Sequence, residues 1–447
     1  MAADIDRQTA TTVTAATTTA SIPLPAGPYQ TMAAQALQDL YSTWWTGTPD
    51  EGNVVRIGWG IPGPPFDQDI WEYGMLCFGI YTYWQSAQGA DQAARLQSQY
   101  AWTVAHIPHR TSNFGGDPNI AVDDSGWNAM YFMQTYLATG NTGARDDALA
   151  IIQGAYNYYK DGDTANGLWY PAKPPSQGYT QSNPGDPNGK PGDNRTKAVY
   201  SVGLLSAALD FLIDAKSHDA NWQTTYAQLY KDTLNIYNWS ESHLLRSGVY
   251  TVTLQDGRIV SENCSDNLYW CGYNEGNTAR TELNGPDGGL QPNGIQEAGS
   301  VSGLFGNMGM AVCHAMLYRL TGNTLYRDRA VRTAAAITDS PLYNNHGVLV
   351  NDRDGWVEGT FAGRYVQEVL TLPGIREQDK QLMFSTADSI MQGARVQIDG
   401  KWYYKAEWSG GSAWVSIGTT PEQITTSAST ANMVLAAGLL EKLEARD

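Results

Sequence analysis

Thr139-Gly-Asn-Thr-Gly-Ala-Arg-Asp-Asp-Ala148 and Thr321-Gly-Asn-Thr-Leu-Tyr-Arg-Asp-Arg-Ala330 are two copies of one string, Thr-Gly-Asn-Thr-x-x-Arg-Asp-x-Ala, set 182 residues apart. In each copy an apolar helical pattern runs up to the Thr-Gly, where Gly140 or Gly322 can take the left-handed conformation that ends a helix. Asn and Thr then turn the chain, and a second helix begins with Arg145-Asp146 or Arg327-Asp328 in its first turn. The string is the bend of an antiparallel helical hairpin.

The same rhythm extends in both directions. Apolar helical patterns fall near 30–45, 68–86, 90–107, 124–139, 144–160, 195–215, 221–240, 299–321, 325–340, 360–371, 376–394 and 420–445, which is twelve helices in six hairpins. Tandem hairpins bury their faces against their neighbours, and six closing into a ring give the expected fold class: all-α, an (α/α)6 toroid. An open superhelix of helix pairs competes with it. Closure is favoured by Gly303, Gly306 and Gly309 inside one helix. Each mid-helix Gly costs about 1 kcal/mol relative to Ala, so a line of them implies close approach of another backbone or a ligand.

Two stretches interrupt the helices. Residues 161–194 are dense in Pro, Gly, Asn and Asp around Trp169-Tyr170, and 247–298 opens with a β-hairpin pattern, Val249 to Leu254, turned at Asp256-Gly257. Loops this long in a compact fold are usually functional, so both are expected to wall one mouth of the toroid. Residues 1–28 form a Thr/Ala-rich leader with nothing to bury, and 29–447 a single catalytic domain.

Lys and Arg number 28 against 45 Asp and Glu, a net charge of −17 that repels phosphate backbones and anionic lipid. Nucleic-acid partners are excluded, as is a membrane span, since no run of about 18 apolar residues exists. The chain is expected to be a secreted monomer, its signal peptide absent from this sequence; Asn194, Asn238 and Asn263 head glycosylation sequons. Cys264 and Cys271 lie in a Gly/Asn-rich loop and either close a short disulfide ring or remain two free thiols; Cys77 and Cys313 sit in apolar helical patterns.

Chemistry is concentrated at Ala121-Val-Asp123-Asp124-Ser-Gly-Trp127. One Asp at a helix start is an N-cap or a partner for the helix dipole. Two adjacent ones repel, and one must hold a proton more tightly unless something compensates. A protonated carboxyl beside an ionised one is what glycoside hydrolysis uses: one protonates the leaving oxygen while the other attacks or activates water. The aromatic supply suits a sugar, with Trp71, Trp127, Trp169, Tyr170 and Trp356 at helix ends or in loops, where flat rings can stack on a pyranose. Phosphate loops, a dinucleotide fingerprint and a Gly-x-Ser-x-Gly elbow are absent. His106-x-x-His109 lacks a carboxylate companion, and Asp352-Arg-Asp354-Gly has Gly363 where a calcium loop needs Glu, so neither metal nor cofactor is expected.

Val122-Asp123-Asp124 followed by Trp127, the helix end Tyr136-Leu-Ala-Thr-Gly-Asn141, the run Leu317 to Ala330, Gly359-Thr-Phe-Ala-Gly-Arg364-Tyr365 and Thr425-Thr-Ser-Ala-Ser429 together resemble glycoside hydrolase family 76. The resemblance spans about 30 to 445 and implies an (α/α)6 enzyme, an endo-α-1,6-mannanase acting with retention. Carried over, Asp123 is the nucleophile and Asp124 the general acid/base. Trp127, Trp71, Trp169, Tyr170, Glu297, Trp356 and Arg364 are the candidate substrate-binding residues. Where the family commonly has Tyr-Asn-Gln-Gly, this chain has Gln296-Glu297-Ala298-Gly299, and Ser125-Gly-Trp-Asn128 lacks the usual bulky residues. Glu297 either contacts hydroxyls of a different sugar or caps the next helix. The expected function is retaining endo-hydrolysis of an α-mannan-type polysaccharide. Its alternatives are a transglycosylase, a hydrolase of another glycan such as an unsaturated uronide, and a catalytically silent carbohydrate-binding toroid. Glu297 and Glu358 are the first candidates for a distant base should the reaction invert.

Overall fold

The computed structural model describes residues 27–45, 71–106, 122–160, 167–170, 196–198, 201–253, 259–270, 272–274, 279–281, 295–296, 304–349, 357–408 and 424–446. The leader expected at 1–28 lies outside the described residues up to residue 26, and helix α1 begins at Pro28. The α-helices among the described residues are α1 (Pro28–Trp44), α2 (Trp71–Ala87), α3 (Ala90–His106), α4 (Val122–Thr139), α5 (Thr142–Tyr159), α6 (Val202–His218), α7 (Trp222–Thr225), α8 (Ala227–His243), α9 (Leu304–Thr321), α10 (Thr324–Asp339), α11 (Ala362–Arg364), α12 (Glu377–Ser389) and α13 (Ile424–Glu444). All twelve expected helical segments are represented, but the one expected at 195–215 begins only at Val202, with Thr196–Ala198 in a strand. The segment at 221–240 divides at Tyr226 into α7 and α8, and α11 and α12 each run on as a π-helical turn, Tyr365–Val369 and Ile390–Ala394.

Helices α2, α4, α6, α9, α11 with its π-helical turn, and α13 pack side by side in that order, and α13 packs back against α2. The ring is closed, which excludes the open superhelix. Helices α1, α3, α5, α8, α10 and α12 lie outside it, each on one or two inner helices. Burial follows from position. Along α13 every residue from Ile424 to Leu440 is buried, whereas outer α10 buries only Ala330, Thr333, Ala334, Ile337 and Thr338, one stripe at helical spacing. Both repeated bends form as expected, with Gly140 at φ +73° and Gly322 at φ +74°, and with Asn141 and Asn323 accepting from the backbone amides of Gly143 and Leu325 as N-caps.

The interruptions carry more strand than a single hairpin. Strands β1 (Trp169–Tyr170), β2 (Thr196–Ala198), β5 (Gly272–Asn274) and β6 (Ala279–Thr281) make one antiparallel sheet. The expected hairpin is β3 (Leu245–Thr253) against β4 (Ile259–Tyr269), with Thr253 opposite Ile259, and β7 (Ile295–Gln296) adds a parallel third strand. Residues 254–258, which hold the expected Asp256-Gly257 turn, lie outside the described residues. Two short ribbons, β8 (Asn344–Asn345) with β9 (Val348–Leu349) and β10 (Arg395–Ile398) with β11 (Lys401–Tyr404), sit among the last helices.

The end of β4 is pinned to the toroid by a buried polar network. Asn307 of α9 accepts from the Tyr269 amide at 2.8 Å. The His314 ring, fully buried on α9, meets the Tyr237 hydroxyl through Nδ1 at 2.9 Å and the Tyr269 hydroxyl through Nε2 at 2.8 Å. Tyr269 also donates to Glu241 of α8, which accepts from Arg329 of α10 at 3.1 Å.

Burial, with Arg329 and Arg332 nearby, holds the His314 pKa well below the usual histidine range. A histidine neutral in the folded chain and titrating near 6.5 when unfolded contributes stability that is complete above about pH 6.5. That contribution is lost as pH falls below this value, by about 1.4 kcal/mol per pH unit. His314→Gln should therefore be less stable than wild type at pH 7.5, with the gap narrowing toward pH 5. Urea midpoints at the two pH values measure this, and a constant gap would place the titration elsewhere.

Candidate active site

The inner helices begin at one end of the ring. Trp127, in the second turn of α4, lies against Phe305 at the start of α9 (ring centroids 6.1 Å), Phe361 just before α11 (5.9 Å) and Phe78 of α2 (6.4 Å). Gly126 meets the start of α6 so closely that a Cβ there would stand 2.6 Å from the Leu204 amide nitrogen. Gly359, before α11, donates to Ser429 of α13 at 2.9 Å, and the Asn432 amide donates to the Gly359 carbonyl at 2.7 Å. This end of the toroid thus gathers helix N-termini, whose unpaired amides give it positive potential in an acidic protein.

Asp123 and Asp124 occupy the first turn of α4 at this mouth and are half-buried, between the buried Val122 and Ser125. Gly126 explains the small residues that come after them: a larger side chain would push α4 off α6 and move both carboxylates. Glu358 is fully buried, and its Oε2 accepts from the Phe305 amide at 2.7 Å, which caps the start of α9. Glu358, the candidate distant base for an inverting reaction, is thus a buried acceptor at the start of α9.

Two candidate sugar contacts are corrected. Trp127 is 1% exposed and ringed by phenylalanines, so neither face is open to a pyranose; it belongs to the core. Arg364 is 5% exposed and donates to Asp210 and, at 3.2 Å, to Ser206, both on α6. Beside this pair, Arg319 of α9 donates to Glu368 at 2.8 Å, and burial raises the Glu368 pKa despite Arg319 and Arg364. Arg364 belongs to an ion cluster tying α6, α9 and α11 together. Trp71 starts α2, and Trp169 and Tyr170 form β1, paired with Lys197 and Thr196 of β2. Glu297, Trp356 and Cys271 lie outside the described residues, and Cys264 stands opposite Gly248 on β4. The sequence pattern does not single out Tyr159, the last residue of α5; burial, with the two aspartates nearby, raises its phenol pKa.

A closed (α/α)6 ring with a carboxylate pair at its mouth is the architecture these observations define. Particular solved structures share its fold. One is an inactive variant of an α-1,6-mannanase from a Salegentibacter species, with two consecutive aspartates replaced by alanine and α-1,6-mannotetrose bound. It aligns with a TM-score of 0.62 at 13% identity over 93% of this chain and 100% of its own. A family 76 mannosidase of Bacteroides thetaiotaomicron gives a TM-score of 0.61 at 10% identity over 94% and 100%. A family 76 α-mannanase of Bacteroides thetaiotaomicron gives 0.56 at 15% over 94% and 98%. No protein-family model matches this chain, and no curated protein does.

Trp127→Ala should cost about 3–5 kcal/mol of stability, the usual loss for truncating a buried Trp. Trp127→Phe should lower the melting temperature while leaving KM for oligosaccharides near wild type. A raised KM at unchanged melting temperature would return Trp127 to the substrate face. Arg364→Met should cost about 3 kcal/mol, because Asp210 is left with Arg319 at 3.8 Å. Adding Asp210→Leu should recover part of that loss in denaturant titrations.

Proposed function

We propose that this chain is a retaining endo-glycoside hydrolase of α-mannan-type polysaccharide, with α-1,6-mannan as the first substrate to test. The observation that carries the reading is the Asp123-Asp124 pair on the first turn of an inner helix, at the mouth where the inner helices begin. The likeness to α-mannan enzymes supports it, above all to one inactivated by replacing two consecutive aspartates.

In this reading Asp123, in the positive field of the helix starts, attacks the anomeric carbon as the glycosidic C–O bond breaks. Asp124 gives its proton to the departing oxygen and becomes a carboxylate. It then takes a proton from the water that displaces Asp123 and releases the reducing sugar. Retention needs the two carboxyl groups about 5–5.5 Å apart, a spacing that neighbouring side chains on one helical turn can reach; inversion needs about 6.5–9.5 Å. The steps use no metal or cofactor, and strands β1 to β7 are the parts of the chain from which this reading draws the walls along which a polysaccharide lies.

Proton NMR of the first-formed product from α-1,6-mannan should give the anomeric configuration of the substrate. Asp123→Asn should abolish turnover. Asp124→Asn should retain far more activity on an aryl α-mannoside with a good leaving group than on mannan, since general acid catalysis typically supplies about 10²–10⁴-fold. An inverted product, or an active Asp123→Asn variant, would refute the assignment.

A further inference from the structure

The ribbon of β10 and β11 stands at the mouth end of the ring, on the flank formed by the outer helix α1. The Tyr404 amide donates to Ser427, in the first turn of α13, at 3.2 Å, and Thr43 near the end of α1 donates to the Trp402 carbonyl at 2.8 Å. Asp399 and Gly400, at φ +49° and +80°, make the two-residue turn that sets the register: Trp402 opposite Gln397, and Tyr404 opposite Arg395. Cross-strand partners share a face, as do residues two apart on a strand, so these four side chains stand on one face of the ribbon.

The base of that face is fixed to α1. Asp39, 2% exposed, accepts from Arg395 through both oxygens at 2.7 and 3.1 Å, from Tyr404 at 2.7 Å and from Gln35 at 2.9 Å. The Arg395 guanidinium, held in this way, lies over the Trp402 ring, 3.6 Å from its centroid. Asp39 is satisfied without Trp402. Trp402 is partly exposed and, unlike Trp44, Trp45, Trp84 and Trp408, belongs neither to the hydrophobic core nor to the rings packed on it. Gln397 across from it is exposed. The ribbon thus presents an indole braced on one face by a guanidinium, with an exposed amide alongside, and core packing does not account for the ring.

We propose that Trp402 and Gln397 form a glycan-binding site outside the catalytic mouth, occupied by a distant stretch of the neutral polysaccharide that the mouth cleaves. The choice of occupant rests on the reading of this protein as a polysaccharide hydrolase. An indole takes the C–H face of a pyranose, and a primary amide both donates to and accepts from hydroxyls. Asp39 neutralises the Arg395 charge, so the site suits a neutral sugar rather than an anionic one. Arg395 holds the ring in place before any ligand arrives, so little side-chain freedom is lost on binding. A second contact on one polymer raises the local concentration of its remaining units at the mouth, and a substrate too short to reach both sites gains nothing.

The test compares full-length Trp402→Ala, Trp402→Leu and Gln397→Ala with their parent. Trp402→Leu keeps an apolar cover over Arg395 and removes the stacking face, which separates sugar binding from ribbon stability. Retention in native gels containing soluble α-1,6-mannan is measured with Asp123→Asn in every protein to stop turnover. It should weaken about 5- to 10-fold for both Trp402 variants and less for Gln397→Ala. Without Asp123→Asn, KM for mannan should rise by a similar factor, while kcat and KM for an aryl α-mannoside stay those of wild type. Wild-type retention and mannan KM in Trp402→Leu would overturn the inference, and so would equal losses on the polymer and the aryl mannoside. Gels cast with a neutral glucan or xylan separate the two levels. Retention on one of these that is lost with Trp402, in a protein that hydrolyses no mannan, would leave the site standing and refute the mannan reading of the mouth. If mannan is hydrolysed and retention does not depend on Trp402, only this site falls.

Discussion

The contact between the start of α4 and its neighbours is the constraint on which the rest depends. On one side Gly126 lies against the backbone of α6, with no room for a side chain. On the other, Trp127 reaches to Phe78, Phe305 and Phe361, so one ring joins α4 to α2, α9 and the approach to α11. Two successive residues thus fix the height and rotation of α4 within the ring. The two before them, Ser125 and Asp124, are thereby fixed in position with them. A carboxylate pair on a loop would need a separate support; here the core supplies it.

The electrostatics arise from the same geometry. Running the inner helices in one sense places their N-termini at the mouth, and the field of those N-termini stabilises carboxylates there. At depth the arrangement is different. Arg364, Asp210, Glu368 and Arg319 join α6, α9 and α11 through charge, where α4 is joined by aromatic packing. A buried ion cluster contributes little net stability, but it penalises any register in which its members fail to meet. It specifies how the late inner helices sit, including the π-helical turn Tyr365–Val369 that carries Glu368 on from Arg364.

Much of the frame is legible in the sequence because its signals are local. A left-handed Gly, an Asn cap and an apolar stripe each act within a few residues, and Thr139–Ala148 announces a bend that the structure forms with φ +73° at Gly140. Closure of the ring is legible only as an inference from glycines; at Gly309 the close approach is by a side chain, a Cβ there standing 2.6 Å from the Val202 methyl, and Gly303 lies outside the described residues. What sequence cannot separate is a ring that stacks on sugar from a ring that fills a core, since a tryptophan such as Trp127 serves either role. Arg364 misleads for a related reason. Its partner Asp210 lies 154 residues earlier, and no local pattern records that pairing.

The low identity to enzymes of the same fold, 10–15% with nearly full coverage, sharpens what such a toroid requires. Most of the chain answers to packing, and many apolar combinations of the right volume pack equally well. The few places where volume is not negotiable are those where backbones touch or a charge is buried. Gly126 against α6, Gly359 against Ser429, and Glu358 on the Phe305 amide are such places, and all surround the mouth. A residue there cannot be exchanged without moving the carboxylates, whereas the outer face of α10 can change freely. The packing that fixes the fold and the packing that places the carboxylates therefore fall on the same residues at this end of the molecule. Strands β1, β2, β5 and β6 are held to one another by a backbone ladder, which tolerates many side chains.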